Sequence, residues 1–72
     1  MLTKNLVILR KNKGMKQSDL AKVIGISSGS YQNKETGKTE FTLSEAKKIS
    51  DIFKLSLEDI FFTPIDNKLN TR

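Results

Sequence analysis

Glycines at positions 14, 25 and 37 divide the first half of this chain into segments of about a dozen residues. Within the segments the apolar residues recur with helical spacing, and leucines at positions 2, 6 and 9 show it first. Glycine readily adopts the left-handed conformation that ends many helices, so each glycine predicts a helix end. The chain is therefore restricted to short helices, each of which must bury its apolar face against the others.

The second and third of these helices follow one another closely. The second is predicted to run from near Gln17 to Gly25, and the third to begin after Ser27, a favourable N-cap, and to stop at Gly37. Only a tight turn fits between Gly25 and Ser27. Two short helices joined by about three residues that include a glycine are typical of a helix-turn-helix.

Two further helices are predicted in the second half of the chain. Thr42 and Glu45 have the spacing of a capping box, and the spacing of Ser56 and Asp59 is similar. Apolar residues with helical spacing follow each of these starts. Pro64 prevents the last helix from continuing.

The sequence thus predicts an all-α, compact five-helix domain over residues 1–65. Residues 66–72 are polar apart from Leu69, and we expect this tail to be frayed. The longest apolar run, residues 6–9, has only four members. We therefore expect no membrane span and no signal-peptide core, and a protein that stays in the cytoplasm.

Composition excludes several kinds of chemistry. The chain has no Cys and no His, so disulfides, thiolate or imidazole metal ligands and an imidazole base are excluded. Residues 25–29 match the letters of a hydrolase nucleophile elbow, but that motif needs a preceding strand and a histidine partner. We therefore predict no enzyme, no metal site and no cofactor.

The net charge of +5 is distributed unevenly. Residues 1–38 hold eight basic and two acidic residues, whereas residues 39–72 hold five basic and six acidic residues. A basic half is suited to a polyanionic partner. Charge alone leaves a solvated, lysine-rich surface equally open as an interpretation.

The chain resembles the phage repressor/Cro-type (XRE-type) helix-turn-helix DNA-binding family over about 60 of its 72 residues. The matching residues are Leu9, Arg10, Gly14, Met15, Gln17, Leu20, Ala21, Gly25, Ile26, Ser27, Tyr31, Glu35, Gly37, Lys38, Ile49 and residues 55–61. The resemblance implies a lambda-repressor-like fold and non-catalytic, sequence-specific binding of a double-stranded DNA operator. It also implies a transcriptional regulator near the nucleoid, which we expect to be a Cro-like repressor.

The resemblance implies that the third helix reads bases in the major groove. The positions that match are Ser28, Gly29, Gln32 and Asn33. Asn33 has the geometry to pair with adenine through two hydrogen bonds, whereas Gly29 has no side chain with which to read a base. Few direct contacts with bases are therefore expected. DNA shape or bridging water is expected to carry more of the specificity.

Other positions match phosphate contacts in the family, above all Gln17 at the start of the second helix. A helix N-terminus favours an anion, which supports that role. The remaining candidates are Lys16, Lys38, Ser27 and Lys34. Ser27 is expected mainly to cap the third helix. For Lys34 we expect the stem to pack and the ammonium to reach solvent or phosphate.

Two further sets of residues are implied. An ion pair between Arg10 and Glu35 is expected to brace the first helix against the third. A homodimer is expected at least on DNA, because two-fold dimers place their recognition helices one turn of DNA apart. The predicted dimer surface consists of Ile60, Phe62 and Ile65. Phe61 is expected to close the core, and the same role remains open for Ile60.

An alternative function is an antitoxin-like adaptor that keeps the fold but binds DNA weakly or not at all. The small residues Ser28 and Gly29 favour this alternative, whereas Gln17 and the basic half oppose it. Phage, mobile-element, restriction–modification and antitoxin contexts remain open among the DNA-binding roles. We expect no small-molecule ligand, because a chain of this size has no room for a sensing domain.

Overall fold

The computed structural model describes residues 2–63, which form five helices and no strand. The helices are α1 (Lys4–Asn12), α2 (Gln17–Ile24), α3 (Ser28–Glu35), α4 (Leu43–Phe53) and α5 (Leu57–Phe61). The predicted all-α fold class is confirmed. The predicted stop at Pro64, the interface residue Ile65 and the polar tail lie outside the described residues.

Side chains cap three of the helices where the sequence predicts them. Ser27 and Ser56 each accept, through Oγ, a hydrogen bond of 3.1 Å from the backbone N–H three residues later. Thr42 and Glu45 form a reciprocal capping box, with bonds of 3.1 and 2.9 Å. Each cap satisfies N–H groups that a helix end leaves unpaired and stabilises the fold by about 1 kcal/mol.

The turn between α2 and α3 is short because α2 ends in a left-handed glycine. Gly25 has a φ of 84°, and its N–H donates to the Ala21 carbonyl at 2.9 Å. At the other end of α2, Lys16 has no side-chain acceptor with which to cap the helix. Asp19 instead accepts from the Lys16 N–H at 2.8 Å, which is half of a capping box. Hydrogen bonds therefore fix the backbone at both ends of α2.

The core lies where all five helices meet. Its buried apolar members are Leu6, Leu20, Ala21, Ile24, Tyr31, Phe41, Ala46, Ile49, Ile60 and Phe61. Phe41 lies in the loop between α3 and α4, where helical periodicity provides no signal, and sequence reasoning did not identify it. Its ring centroid lies 5.9 Å from that of Tyr31 and 5.8 Å from that of Phe61. The loop is thus anchored to α3 and to α5.

The N-terminus of the chain differs from the prediction. Leu2 precedes α1 and is 41% exposed, so it does not share the buried face of Leu6. Its N–H instead donates to the Phe61 carbonyl at 2.7 Å. The buried Asn5 amide donates to the carbonyls of Ile60 at 2.9 Å and Thr63 at 2.6 Å. These bonds join α1 to the end of α5, where helix carbonyls lack intrahelical partners.

Candidate nucleic-acid interface

The two sides of α3 differ completely in exposure. Tyr31 and Glu35, which are four residues apart, face inward and are 0% and 6% exposed. The opposite side carries the four residues predicted to contact bases, and all are exposed: Ser28, Gly29, Gln32 and Asn33. The structure therefore brings these four positions together on one accessible helix face.

The polar groups on this face are available to a partner. Within residues 2–63, no hydrogen bond occupies the side-chain amide of Gln32 or Asn33; only their backbone carbonyls accept bonds, from Thr36 and Lys38 among others. An amide group offers both a donor and an acceptor, and this pair matches the N6 and N7 groups of adenine. The exposed face of α3 can thus form hydrogen bonds without first breaking any in the protein.

The inward side of α3 is held by a buried ion pair between Arg10 and Glu35. Arg10 Nε lies 2.9 Å from Glu35 Oε2, and Nη2 lies 3.3 Å from Oε1. The Arg10 Nη1 also donates to the Met15 carbonyl at 2.9 Å, just before α2. This pair, which the resemblance implied, joins α1 to α3 and reaches the segment that leads into α2.

Two neutral side chains complete the partners of this carboxylate. The Tyr31 hydroxyl donates to Glu35 Oε2, and Gln17 Nε2 donates to Oε1, both at 2.7 Å. Sequence reasoning identified neither contact, although the i, i+4 spacing of Tyr31 and Glu35 was a usable signal. Gln17 therefore fixes the start of α2 to the recognition helix, in addition to any role towards DNA.

The network decides the protonation states of its members. Burial opposes ionisation of Glu35, but the hydrogen bonds from Arg10, Gln17 and Tyr31 outweigh it and lower the pKa of the carboxyl. The hydrogen bond to Glu35 raises the pKa of Arg10, although burial works against it. Burial, together with donation to the carboxylate, raises the pKa of the Tyr31 hydroxyl. At neutral pH the site is therefore a charged pair with a protonated tyrosine.

A helix-turn-helix family model matches residues 6–60, which extend from α1 into α5 and include the whole α2–turn–α3 unit. The chain belongs to the XRE-type helix-turn-helix family. This family is a DNA-binding regulatory domain, so the protein is a DNA-binding regulator of the XRE type. No curated protein matches the chain.

The predicted phosphate contacts of this XRE-type domain differ in whether the polar group of the side chain is already hydrogen-bonded within the protein. Lys16 and Lys38 are exposed, and the Lys38 N–H donates to the Asn33 carbonyl at 2.8 Å. That bond folds the loop back on the end of α3 and holds Lys38 close to the recognition helix. Ser27 is exposed as well, but its hydroxyl caps α3. Gln17 is half-buried beside Glu35.

The prediction that the Lys34 ammonium reaches solvent or phosphate is wrong. Its Nζ lies 3.0 Å from Glu45 Oε1 and donates to the Glu40 carbonyl at 3.1 Å, over the ring of Phe41. The side chain is only 12% exposed. The stem packs as predicted, but the charge is used to connect α3 to the start of α4. Glu45 therefore neutralises the charge of Lys34, and little of the side chain is exposed to DNA.

Of the residues in the predicted dimer surface of the XRE-type domain, Phe62 alone lies within the described residues and is exposed. Ile60 is 0% exposed because it is part of the core, so the prediction that it meets a partner subunit is wrong. Phe61 is buried, as expected. Phe62 is 60% exposed and leaves an aromatic ring in solvent at the end of α5.

In the part of the chain that the structure describes, no helix has the length and apolar character that a bilayer crossing requires.

Proposed function

We propose that this protein is a sequence-specific, double-stranded-DNA-binding transcriptional regulator that acts as a Cro-like repressor. The observation that carries the proposal is the exposed face of α3, where two amide side chains are free of internal hydrogen bonds within the described residues. This face belongs to a helix-turn-helix whose family binds DNA. An operator occupied in this way is closed to other proteins that need the same DNA.

Base recognition depends on α3 lying in the major groove with its exposed face against the base edges. In this arrangement Asn33 forms two hydrogen bonds with an adenine, and Gln32 and Ser28 supply single contacts. Few side chains on the exposed face of α3 are long enough to contact a base directly. Much of the specificity therefore depends on DNA shape and on bridging water molecules.

Phosphate contacts orient the domain on the duplex. Donation to Glu35 uses one N–H of the Gln17 amide and leaves the second for a phosphate oxygen. The first backbone N–H groups of α2 also lack intrahelical partners, and the helix dipole favours an anion there. Lys16 and Lys38 are exposed beside α2 and α3 and add two positive charges per protomer.

Asn33→Ala is the direct test of base reading. We expect the variant to lose about tenfold or more of its preference for the operator over random duplex, because one bidentate base contact contributes about 1–3 kcal/mol of discrimination. Competition gel shifts on a duplex selected from random sequence by the wild-type protein measure this preference. Asn12→Ala, which removes an exposed asparagine at the end of α1, is the matched control. Equal discrimination by wild type and Asn33→Ala would contradict the base-reading role.

We further propose that the operator-bound form is a homodimer that uses Phe62. The two recognition helices then lie about 34 Å apart, one turn of B-DNA. Phe62→Ser should weaken self-association while leaving the fold intact, because the ring is 60% exposed and little of the core depends on it. Sedimentation equilibrium with and without operator duplex measures the change. An unchanged association constant would remove Phe62 from the interface.

The adaptor alternative makes a different prediction for the wild-type protein. A gel shift against generic duplex at low salt distinguishes the two, since non-specific binding depends on the phosphate contacts alone. Retarded complexes support the DNA-binding function. Absence of retardation at low salt would favour the adaptor.

A further inference from the structure

Gly29 differs from the other glycines of the chain. Gly14, Gly25 and Gly37 have φ values of 70°, 84° and 92°, a conformation that other residues adopt only with strain. Gly29 lies within the first turn of α3 and has no such φ value. Its backbone conformation is therefore open to any L-amino acid, and the turn gives no reason for a glycine.

Packing inside the protein gives no reason either. A Cβ atom added at Gly29 would meet nothing within 4 Å, and the residue is exposed. Glycine is nevertheless among the least favourable residues in a helix, because it loses the most backbone freedom on folding. Gly29 thus destabilises α3 without an internal contact or a backbone conformation that requires it. Nothing within the described residues uses the small size of Gly29, so a use for it can lie only on the surface that this helix face presents to a partner.

We propose that Gly29 is the point at which α3 lies closest to the DNA, and that the methyl group of a thymine packs against its bare backbone. This inference rests on the proposed function, which places the exposed face of α3 in the major groove. Gln32 and Asn33, one turn further along, lie on the same face and approach the neighbouring bases. A longer side chain at position 29 would hold their amides away from the base edges.

Thymine is the partner for a chemical reason. Its C5 methyl is the one methyl group that the four base pairs present in the major groove. The Cα of Gly29 offers no donor or acceptor side chain, so contact there is apolar. An uncovered backbone accommodates a methyl group that a Cβ would exclude. Gly29 therefore determines specificity by the space it leaves, and not by a hydrogen bond.

Gly29→Ala separates the effect on the free protein from the effect on binding. Because alanine is the better helix former and meets no atom, we expect the melting temperature to rise by about 2–6 °C. Affinity for a duplex selected on the wild-type protein should fall by about tenfold, since the added Cβ displaces the thymine methyl. Val23→Ala is the control: it also replaces an exposed residue (54%) with a better helix former, but on α2, and it should leave DNA affinity unchanged.

Deoxyuridine, which is thymine without its methyl group, identifies the partner base. The thymines of the selected duplex are replaced one at a time. At one of them wild-type affinity should fall about fourfold, the equivalent of one buried methyl group, whereas Gly29→Ala affinity should rise. This opposite response of two proteins to one methyl group is not expected of a merely structural role.

Several results would overturn the inference. They are a Gly29→Ala variant that is destabilised, one that binds the selected duplex as tightly as the wild type does, and one that shows no thymine with the opposite response. Each of these leaves wild-type binding intact and so leaves the proposed function standing. If the wild-type protein itself fails to bind duplex DNA at low salt, the proposed function fails first and the inference fails with it.

Discussion

Replacing Glu35 with alanine should lower the free energy of unfolding by about 3–5 kcal/mol. The carboxylate is buried and accepts hydrogen bonds from Arg10, Gln17 and Tyr31, which belong to three different helices. Its removal leaves the Arg10 guanidinium buried without its counter-charge. A domain of this size has only a few kcal/mol of stability in total, so the variant should be largely unfolded at room temperature. Urea unfolding followed by circular dichroism measures the loss.

Two other variants test whether burial is the reason for this large effect. Asp51→Ala removes an exposed acid on α4 and should change stability by no more than about 0.5 kcal/mol. Glu35→Gln keeps an oxygen that can accept from Tyr31 or Gln17 but removes the charge, so its loss should be intermediate. A loss below about 1 kcal/mol in Glu35→Ala would mean that the pair behaves like a solvated surface pair, contrary to its burial.

Affinity for the operator should fall about a hundredfold when the salt concentration rises from about 50 to about 200 mM. Lys16 and Lys38 from both protomers neutralise about four phosphates in the proposed dimer, and each releases bound cations. The expected slope of log K against log salt is therefore about −3.6. Fluorescence anisotropy with a labelled duplex over a series of salt concentrations measures this slope.

The lysines are tested one by one in the same titration. Lys38→Gln should make the slope shallower by about two, one for each protomer, while the preference between sequences changes little. Lys34→Gln should leave the slope unchanged, because the Lys34 ammonium is bound to Glu45 and the Glu40 carbonyl. Lys48→Gln, at an exposed position of α4, is a second control. A wild-type slope near zero would count against phosphate binding altogether.

The helix ends were predictable because each depends on residues close together in the chain. Ser27, Thr42 and Ser56 cap the helices that follow them, and Gly25 ends α2 in the left-handed conformation, as the sequence predicts. Such signals need no knowledge of distant contacts. The limits of the helix-turn-helix follow from this local chemistry.

Contacts between distant residues were predictable only where the family resemblance implied them. The Arg10–Glu35 pair was expected on that ground, but Gln17 and Tyr31 were not recognised as further partners of the same carboxylate. Phe41 and Asn5 gave no signal because a loop phenylalanine and a single helix asparagine have no periodic neighbours. The charge of Lys34 predicts a contact with solvent or phosphate, whereas its partners on the next loop and helix lie six and eleven residues away.

The amino-acid sequence alone established the fold class, the helix-turn-helix and the absence of Cys and His, because these follow from composition and from interactions within a few residues. Packing of the helices settled which polar groups are already used. The sequence assigns the Gln17 amide to a DNA phosphate and the Lys34 ammonium to solvent or phosphate, yet each is bound to a glutamate in the folded protein. The same packing placed Ile60 in the core and left Gly29 beside open space. The reason is that burial and electrostatic pairing depend on distances between residues far apart in the chain, and a local pattern contains no information on those distances.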